Sequence, residues 1–435
     1  MKIAILHDDF SITGGGEKLI GLMAKELNNN GFKTDIITRN LSGETLKIIP
    51  NNLNIIDLNE KSKEQDSRIL FKRLELKGYD FYIFSGHNCI YAAKDHKPNM
   101  LYNHNIPYSE FKSESSKVNK SKEWLDSHDL NQRLELMGNP LIERIWNRIL
   151  TFKKRFIKKN LPNSIAYKID RARYLISKQT PIKDNLQLST HYQNISQIQK
   201  IIVNSKNIKT KVKKAYNRDS IVIYPPIETS KYKNKNNKDY WISINRITPL
   251  KRIELQIEAF SKLPNQNLKV IGNIEDENYY ESLKKKKPRN VIFLGTISEE
   301  KLIKELSECR GLLFTAKDED FGMAVVEAMA SGKPVIAPNE GGCKETIIEN
   351  KTGYLIDNID KDKIVQKIEL INKKLASNPN QYIDLCKKQA KEFDISKFSK
   401  NIIKEINLMA NNRSSYSGFK LKPSNKSPIS QRSPF

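Results

Sequence analysis

Two glutamates lie eight positions apart in the segment DEDFGMAVVEAMASGKPVIAPNEGG, residues 318–342. Glu327 stands among Ala, Val and Met residues of a predicted helix. A buried carboxylate needs partners, because its desolvation costs roughly several kcal/mol. A carboxylate here can accept two hydrogen bonds from a vicinal diol, so we expect its partners to arrive with a bound ligand. The alternative is a solvated helix face, which the apolar neighbours of Glu327 disfavour.

Glu319 lies just after the predicted strand GLLFTA, at the carboxyl end of that strand. The next helix begins with Phe321, Gly322 and Met323. Glycine lets a backbone approach a ligand closely, and the free N–H groups of a helix N-terminus favour phosphate. A diol and a phosphate near one helix N-terminus describe a nucleotide. Taken alone, Glu319 can instead be a helix-terminal acid that complements the helix dipole.

The acidic run Asp318-Glu319-Asp320 raises the question of a metal site. Hard cations take several oxygen ligands, and the sequence has no second acidic cluster in a suitable setting. We therefore expect no bound metal.

A second cluster lies in INRITPLKR at 244–252, where Arg246 follows a predicted strand and Lys251 stands five residues later. Two cations on one strand-to-helix loop can hold both phosphates of a diphosphate, Arg through its planar fork and Lys as a point charge. Two basic residues in a loop are common, so this pair is weak evidence by itself.

The N-terminal half offers a glycine turn and a histidine. The turn SITGGGEKL at 11–19 contains Gly15 and Gly16, whose backbone N–H groups can approach a phosphate or a sugar. It matches neither the GxGxxG dinucleotide motif nor a Walker A loop, and a tight turn without a ligand is the alternative. His104, in LYNHNIPYSEF, ends another predicted strand, although a lone histidine is more often structural than functional.

These candidates follow strands in a chain that alternates strands with helices. The first run includes the strands KIAILHD and YDFYIFSG and a helix ending at Gly31. A second run begins after the lysine-rich segment 231–238, a predicted linker. Alternation implies parallel sheets covered on both faces, and two runs imply two Rossmann-like domains facing one another. Ligands of such sheets bind outside the carboxyl ends of the strands, so we expect the site in the cleft between the domains.

Length and composition agree with this division. A chain of 435 residues suggests two domains, and its net charge of +25 favours anionic partners such as nucleic acid, anionic lipid or phosphorylated substrates, or serves only to solvate the surface. The four cysteines are scattered without CxxC spacing, which indicates a reducing compartment. The first apolar stretch is too short for a signal peptide and no apolar run is long enough to cross a bilayer, so we predict a cytoplasmic protein.

Residues 110–200 do not follow the alternation. The segment 141–161 has apolar residues at helical spacing with a basic opposite face, and residues 140–180 carry eleven Lys or Arg against two acids, a local net charge of +9. Two interpretations fit this helix: it lies on an anionic bilayer and presents the cleft to a polyprenyl-phosphate acceptor, or its apolar face completes the N-terminal domain. The last residues, 411–435, are rich in Ser, Pro and Lys and are predicted to be disordered.

Together, NRITPLK, EDFGMAVVE and EAMASGKPVIAPNEGG resemble retaining glycosyltransferases of family 4, group 1, which have the GT-B fold. The combination of Glu-x7-Glu with Arg-x4-Lys at this separation is specific, and GGGEK and VIYPP stand where that family has similar stretches. The resemblance covers most of 1–110 and 200–410. It is greatest to the bacterial and archaeal mannosyltransferases that build O-antigen or lipid-linked glycans.

The resemblance implies an α/β chain of two Rossmann-like domains whose parallel sheets face a central cleft. We expect an acceptor domain at 1–228 with the basic helical insertion at about 110–200. A nucleotide-sugar domain follows at 229–385. A C-terminal helix at 386–410 is expected to pack back on the N-terminal domain, ahead of the tail at 411–435.

The resemblance also implies roles for the candidates. Arg246 and Lys251 neutralise the leaving diphosphate, Glu327 binds the ribose hydroxyls, and Glu319 binds the hydroxyls of the donor sugar. His104 faces the transferred sugar. The catalytic candidates are His104, Arg246, Lys251 and Glu319. Backbone groups supply the remaining contacts to sugar, phosphate and acceptor, at Phe321, Gly322, Met323, Gly15 and Gly16.

The implied reaction is metal-independent, needs no cofactor, and retains the anomeric configuration. GDP-mannose is the expected donor, a glycan or polyprenyl-linked molecule the expected acceptor, and the inner face of the cell membrane an expected location. Two rival functions remain. A GT-B sugar-nucleotide epimerase would bind the same nucleotide and give an isomer without an acceptor. A nucleic-acid-binding protein fits the charge, but the sequence lacks zinc-finger and aromatic-interleaved sheet motifs, so we expect no nucleic-acid partner.

Overall fold

Two parallel β-sheets with helices packed against them make up the protein. The computed structural model describes residues 1–11, 14–47, 49–59, 66–106, 190–235 and 237–416. The α/β architecture of two Rossmann-like domains is therefore confirmed. The basic segment 141–161, most of the region 110–200 and the tail from 417 onward lie outside the described residues, so their interpretations stay predictions. None of the described helices has the length and apolarity needed to cross a membrane.

The N-terminal sheet has seven strands, which are β1 (Lys2–His7), β2 (Lys33–Thr38), β3 (Asn54–Asp57), β4 (Phe81–Ser85), β5 (Asn99–Asn103), β6 (Lys200–Val203) and β7 (Ile221–Val222). Their spatial order is β3-β2-β1-β4-β5-β6-β7. In β1, Ile3 and Ile5 are buried in one core, and Ala4 and Leu6 in the other. This burial on both faces is typical of a strand in a parallel sheet. Four helices of this half have both ends among the described residues, and they are α1 (Gly15–Asn29), α2 (Gly43–Leu46), α3 (Ser67–Lys72) and α4 (Lys206–Tyr216).

The C-terminal sheet has six strands, which are β8 (Tyr240–Ile244), β9 (Asn267–Ile271), β10 (Val291–Gly295), β11 (Leu312–Leu313), β12 (Val335–Pro338) and β13 (Gly353–Ile356). Their order is β10-β9-β8-β11-β12-β13, again with parallel pairing, so the carboxyl ends of the strands form one edge. The helices are α5 (Ile253–Ser261), α6 (Glu277–Lys286), α7 (Glu299–Glu308), α8 (Met323–Ala330), α9 (Cys343–Thr346), α10 (Lys361–Ser377) and α11 (Ile383–Ala390).

Side-chain caps begin several of these helices, but α8 begins differently. The Ser205 hydroxyl accepts a hydrogen bond from a backbone N–H in the first turn of α4, and Asp276, Ser298 and Asp360 cap α6, α7 and α10 in the same way. Such residues are favoured because they satisfy N–H groups that have no partner inside the helix. At α8 the preceding residue is Gly322, with a φ of 86°, and no side chain caps the helix. This N-terminus is therefore free to face a ligand.

The last helix, α12 (Ile395–Tyr416), crosses from the C-terminal domain to the N-terminal domain. Phe398, Ile402 and Ile406 recur every four residues, so they share one face of the helix, and they are buried in the core that covers one face of the N-terminal sheet. The predicted helix that crosses back is confirmed, but it spans Ile395–Tyr416 instead of 386–410. Residues 411–416, predicted to begin a disordered tail, therefore continue this helix.

The lysine-rich segment 231–238 joins the two sheets and is anchored to the C-terminal domain. Tyr232 is buried, and the buried Lys333 ammonium donates to Asn237 Oδ1 at 2.5 Å and to the Lys235 carbonyl at 3.2 Å. Burial lowers the pKa of Lys333 to about 8. The Ser-Gly-Lys-Pro sequence at 331–334 therefore fixes the connection between the domains.

Candidate functional site

The first glycine turn meets the start of α8 across the cleft. A Cβ atom added to Gly15 would lie 3.4 Å from Met323 Sδ, whereas one added to Gly16 would meet no atom within 4 Å. The missing side chains let the N-terminus of α1 approach the other domain closely. The structure therefore brings together two candidates, Gly15 and Met323, that lie more than three hundred positions apart in the sequence.

Glu327 is 6% exposed and already has partners within the chain. Lys18, in the first turn of α1, places its Nζ 3.1 Å from Glu327 Oε1 and 3.1 Å from Glu299 Oε1. Burial and, to a smaller extent, the nearby Glu327 raise the pKa of the Tyr232 hydroxyl well above its ordinary value. The expectation that the partners of Glu327 arrive with a ligand is therefore wrong, because Lys18 already pairs with this carboxylate. Burial would lower the pKa of Lys18, but the two carboxylates outweigh burial and raise that pKa above its ordinary value.

Lys251 and Glu319 form a second ion pair. The Lys251 Nζ donates to Glu319 Oε2 at 2.6 Å, and the two side chains are 16% and 22% exposed. Lys251 follows β8 and Glu319 follows β11, which are neighbouring strands, so their loops meet at one edge of the sheet. Arg246 pairs instead with Glu275, Nη1 to Oε1 at 2.9 Å, and both of those side chains are close to half exposed.

Two glycines hold the loop that carries Glu319. The Gly342 N–H donates to the Glu319 carbonyl at 2.6 Å. A Cβ atom on Gly341 would lie 2.3 Å from the same oxygen, and the φ of Gly341 is 62°, which favours glycine. Phe321 is buried, and its ring centroid lies 5.6 Å from that of Tyr224 in the N-terminal half. The closing NEGG of the motif thus positions the backbone of Glu319.

Arg252 is a cation that was not identified from the sequence. Its φ is 49°, and its guanidinium donates to the carbonyls of Thr315 at 2.7 Å and Ala316 at 3.2 Å. It also forms an ion pair with Glu340. Arg252 therefore ties its loop to the strand end beside Glu319 and holds the neighbouring Lys251 in place.

His104 lies directly after β5, at the carboxyl edge of the N-terminal sheet. Its Nε2 lies 2.6 Å from Ser85 Oγ, and Asn204 Nδ2 donates to its carbonyl oxygen at 2.8 Å. Burial, and to a smaller extent His7 and His87, lowers the pKa of His104 to about 3. At neutral pH this ring is uncharged and can offer one donor and one acceptor.

Carboxylates of the C-terminal domain also contact α4. Glu345 accepts hydrogen bonds from the first two backbone N–H groups of α4, each at 2.8 Å. Lys211 of α4 lies 2.8 Å from Asp318 and 3.7 Å from Asp320. Burial and the neighbouring Glu319 raise the pKa of Asp320 to about 7, against the opposing effect of Lys211. Among the described residues, no group of three or more His, Cys, Asp or Glu is placed to hold a metal ion.

Three contributors to the contact between the domains were not identified from the sequence. Lys18, Lys211 and Glu345 pair with groups 309, 107 and 139 positions away. No local pattern signals such distant partners. The one available signal was the place of Lys18 in GGGEK, in the first turn of a helix that begins at a strand end.

A sequence profile of the family described as Glycosyl transferases group 1 matches residues 225–389. The matched segment contains all six strands of the C-terminal sheet and the two loops that carry Lys251 and Glu319. The glycine turn and His104 lie outside it.

Two curated relatives are similar to part of the chain. The alpha-1,3/1,6-mannosyltransferase ALG2 of Dictyostelium discoideum is 32% identical over 195 residues, which cover 38% of this chain and 45% of that protein. The GDP-Man:Man(3)GlcNAc(2)-PP-Dol alpha-1,2-mannosyltransferase of Xenopus laevis is 35% identical over 173 residues, which cover 34% of this chain and 35% of that protein. The chain thus spans less than half the length of either relative.

Among solved structures, Alr3699/HepE of Anabaena, in complex with UDP and glucose, superimposes with a TM-score of 0.63 at 16% identity. The superposition covers 93% of this chain and 99% of that chain. At this identity the likeness concerns the fold, and because it extends over both domains, the expected GT-B fold is confirmed.

Proposed function

We propose that the protein is a retaining hexosyltransferase. The premise is that residues 225–389 of this GT-B chain are a group 1 glycosyltransferase domain. It moves a hexose from a nucleotide-diphospho-sugar to a glycan or lipid-linked acceptor. The observation that carries the proposal is the cleft: Lys251 and Glu319 form one ion pair there, and Lys18 and Glu327 form another.

The donor diphosphate is proposed to lie against Lys251, Arg246 and the uncapped N-terminus of α8. A leaving diphosphate needs preorganised positive charge, which Lys and Arg side chains and helix N–H groups supply. Glu319 is in contact with Lys251 and therefore lies close to the proposed position of the diphosphate. From there it can accept hydrogen bonds from the sugar that is attached to the diphosphate. Glu327 is proposed to accept hydrogen bonds from the two ribose hydroxyls, more than one helical turn further along α8.

The chemistry follows from these positions. The bond between the anomeric carbon and the diphosphate oxygen breaks, and a bond from that carbon to an acceptor hydroxyl oxygen forms on the same face. Because the new bond forms on the face from which the diphosphate leaves, the configuration is retained. An oxygen of the leaving phosphate takes the hydroxyl proton, so charge balances. Closure of the domains excludes water from the reacting centre, which prevents hydrolysis of the donor. No step in this scheme uses a metal ion, so we expect EDTA to leave the transfer rate unchanged.

GDP-mannose is the proposed donor. Two relatives are named as mannosyltransferases, and the name of one includes GDP-Man. The Anabaena neighbour is described in complex with UDP and glucose, so UDP-glucose is the competing donor. A thermal-shift panel of UDP-, GDP- and ADP-sugars separates these possibilities, because a ligand that binds only the folded state raises the unfolding temperature.

Transfer assays with a membrane lipid extract then test the reaction. We expect labelled mannose to move from GDP-mannose into the lipid fraction, with an α-linkage in the product. Formation of an isomerised sugar nucleotide without an acceptor would identify the epimerase instead. Failure of every nucleotide sugar to stabilise the protein would overturn the proposed function.

We further propose that the protein acts at the inner face of the cell membrane on a polyprenyl-linked acceptor. The support is the basic composition of 141–161 in the sequence and the PP-Dol acceptor in the name of a relative. Co-sedimentation with anionic vesicles at low salt tests this. Replacing the five basic residues between 153 and 159 by Gln should abolish binding, whereas the same change in Lys284–Lys286 of α6 should not. Absence of binding by the unaltered protein would remove the membrane proposal.

A further inference from the structure

A chain of polar atoms runs beneath His104 at the carboxyl edge of the N-terminal sheet. Glu17 Oε1 lies 3.4 Å from His7 Nε2, and His7 Nδ1 lies 3.2 Å from Ser85 Oγ. The same Ser85 oxygen lies 2.6 Å from His104 Nε2. The four side chains come from α1, β1, β4 and the end of β5, so the chain links the first turn of α1 to the candidate that is expected to face the sugar.

The chain is enclosed by the protein. Ser85 is fully buried, and the side chains of His7 and Glu17 are 9% and 17% exposed. Gly14 leaves room for the carboxylate, because a Cβ atom there would lie 2.8 Å from Glu17 Oε2. Buried polar atoms are expected to be hydrogen-bonded, so each proton in the chain has a defined place.

The carboxylate at one end sets the direction of the whole chain. An ionised Glu17 can only accept, so a neutral His7 carries its proton on Nε2 and leaves Nδ1 as an acceptor. Ser85 has one hydroxyl proton and must donate it to that Nδ1. The Ser85 oxygen then accepts from His104, which places the His104 proton on Nε2. The Nδ1 of His104 is left as the acceptor of the ring.

We propose that Glu17, His7 and Ser85 are positioning residues that hold His104 in the Nε2–H tautomer, so that its Nδ1 accepts a hydrogen bond from a hydroxyl of the donor sugar. The role of this hydroxyl contact rests on the proposed function, whereas the tautomer follows from the four side chains. The backbone of His104 is fixed independently by Asn204. The lowered pKa of His104 keeps the ring neutral, so the ring has one N–H proton, and the surrounding hydrogen bonds decide which nitrogen carries it.

His96 provides an internal standard of the opposite kind. The backbone N–H of Leu76 donates to His96 Nε2 at 3.1 Å, and His96 Nδ1 lies 2.6 Å from the Ala92 carbonyl. His96 must therefore carry its proton on Nδ1. One spectrum of the same protein thus contains a predicted Nε2–H histidine and a reference Nδ1–H histidine.

Nitrogen-15 NMR of histidine-labelled, deuterated protein at pH 8 tests the inference without any substrate. Resonances are assigned through single His→Gln variants. We expect His104 to show the Nε2–H pattern and His96 the Nδ1–H pattern. In Ser85→Ala and in Glu17→Gln, whose carboxamide no longer dictates direction, His104 should become a mixture of tautomers while His96 stays unchanged. A His104 that is Nδ1–H in the unaltered protein, or unchanged in both variants, would overturn the proposal.

Kinetics give the second readout once a donor is identified. Loss of one hydrogen bond that matters in the transition state corresponds to about 1.4 kcal/mol, or about tenfold. Ser85→Ala should therefore lower kcat about tenfold and leave the donor KM within about twofold, whereas general structural damage would lower the fraction of active protein and the unfolding temperature instead. If no donor supports transfer, the proposed function fails while the NMR result still decides the tautomer.

Discussion

The ion pair between Lys18 and Glu327 competes with the proposed ligand for the Glu327 carboxylate. If Glu327 binds the ribose hydroxyls, the ribose must take this carboxylate from Lys18, whose Nζ lies 3.1 Å from Glu327 Oε1. The substitution Lys18→Met removes the ammonium and keeps the apolar length of the side chain. We expect it to free the Glu327 carboxylate and so to favour nucleotide binding.

The magnitude follows from the burial of the pair. Removing one partner of a fully buried pair costs ~3–5 kcal/mol, and an exposed pair contributes ~0–1 kcal/mol. The side chains of Lys18 and Glu327 are 19% and 8% exposed, and the Tyr232 hydroxyl stays near Glu327. We therefore place the contribution of the pair at ~1–3 kcal/mol. Because this free energy no longer opposes the ribose, GDP should bind at least about fivefold more tightly.

Calorimetric titration with GDP and with inorganic diphosphate measures the effect. Lys18→Met should bind GDP more tightly than the unaltered protein and should bind diphosphate, which has no ribose, equally well. Lys25→Met is the matched control, since Lys25 lies on the same helix and pairs with Glu228 at 3.1 Å. Weaker binding of both GDP and diphosphate to Lys18→Met would make Lys18 a phosphate ligand and refute the reasoning.

Three further changes have defined outcomes. Lys251→Met should lower the transfer rate by about 10²-fold, as expected for one preorganised electrostatic partner, whereas Lys262→Met, at an exposed ion pair, should not; equal rates would contradict this role. Gly341→Ala should lower the thermal unfolding midpoint because its Cβ would lie 2.3 Å from a carbonyl oxygen, whereas Gly43→Ala, with open space, should leave it unchanged. His104→Gln should weaken acid destabilisation in urea titrations between pH 6.5 and 3, since burial lowers the pKa of His104 from 6.5 to about 3 and the unfolded chain binds the proton first. The slope removed is at most ~1.4 kcal/mol per pH unit, and parallel curves would count against a buried neutral ring.

Much of the fold could be predicted from the sequence because its signals are local. The helix expected to end at Gly31 ends at Asn29, and Gly31 follows with a φ of 84°. The apolar runs predicted as parallel strands are buried on both faces, as β1 is. Periodicity and glycine positions depend on neighbouring residues only, so they can be recognised in one chain.

The site could be predicted only in part. Lys251 and Glu319 were expected at one edge of a sheet because each follows a strand, and the structure brings them into contact. The pairing of Lys18 with Glu327 could not be predicted, since the two residues are 309 positions apart and their contact depends on how the two domains pack. The pairing of Arg246 with Glu275 could not be predicted for a similar reason. Glu275 follows a different strand, and its sequence neighbours give no sign of a charge pair.

Binding of GDP and inorganic diphosphate to two variants tests the central claim most directly, namely that this cleft holds the nucleotide of a sugar donor. In the Lys18→Met background, where no ammonium competes for the carboxylate, Glu327→Gln should weaken GDP binding by about tenfold or more, because a charge-assisted hydrogen bond contributes ~1.5–3 kcal/mol, and should leave diphosphate binding unchanged. Lys251→Met should weaken the binding of both ligands. If both changes leave GDP binding as tight as in their parent proteins, Lys18→Met for Glu327→Gln and the unaltered protein for Lys251→Met, the account is contradicted.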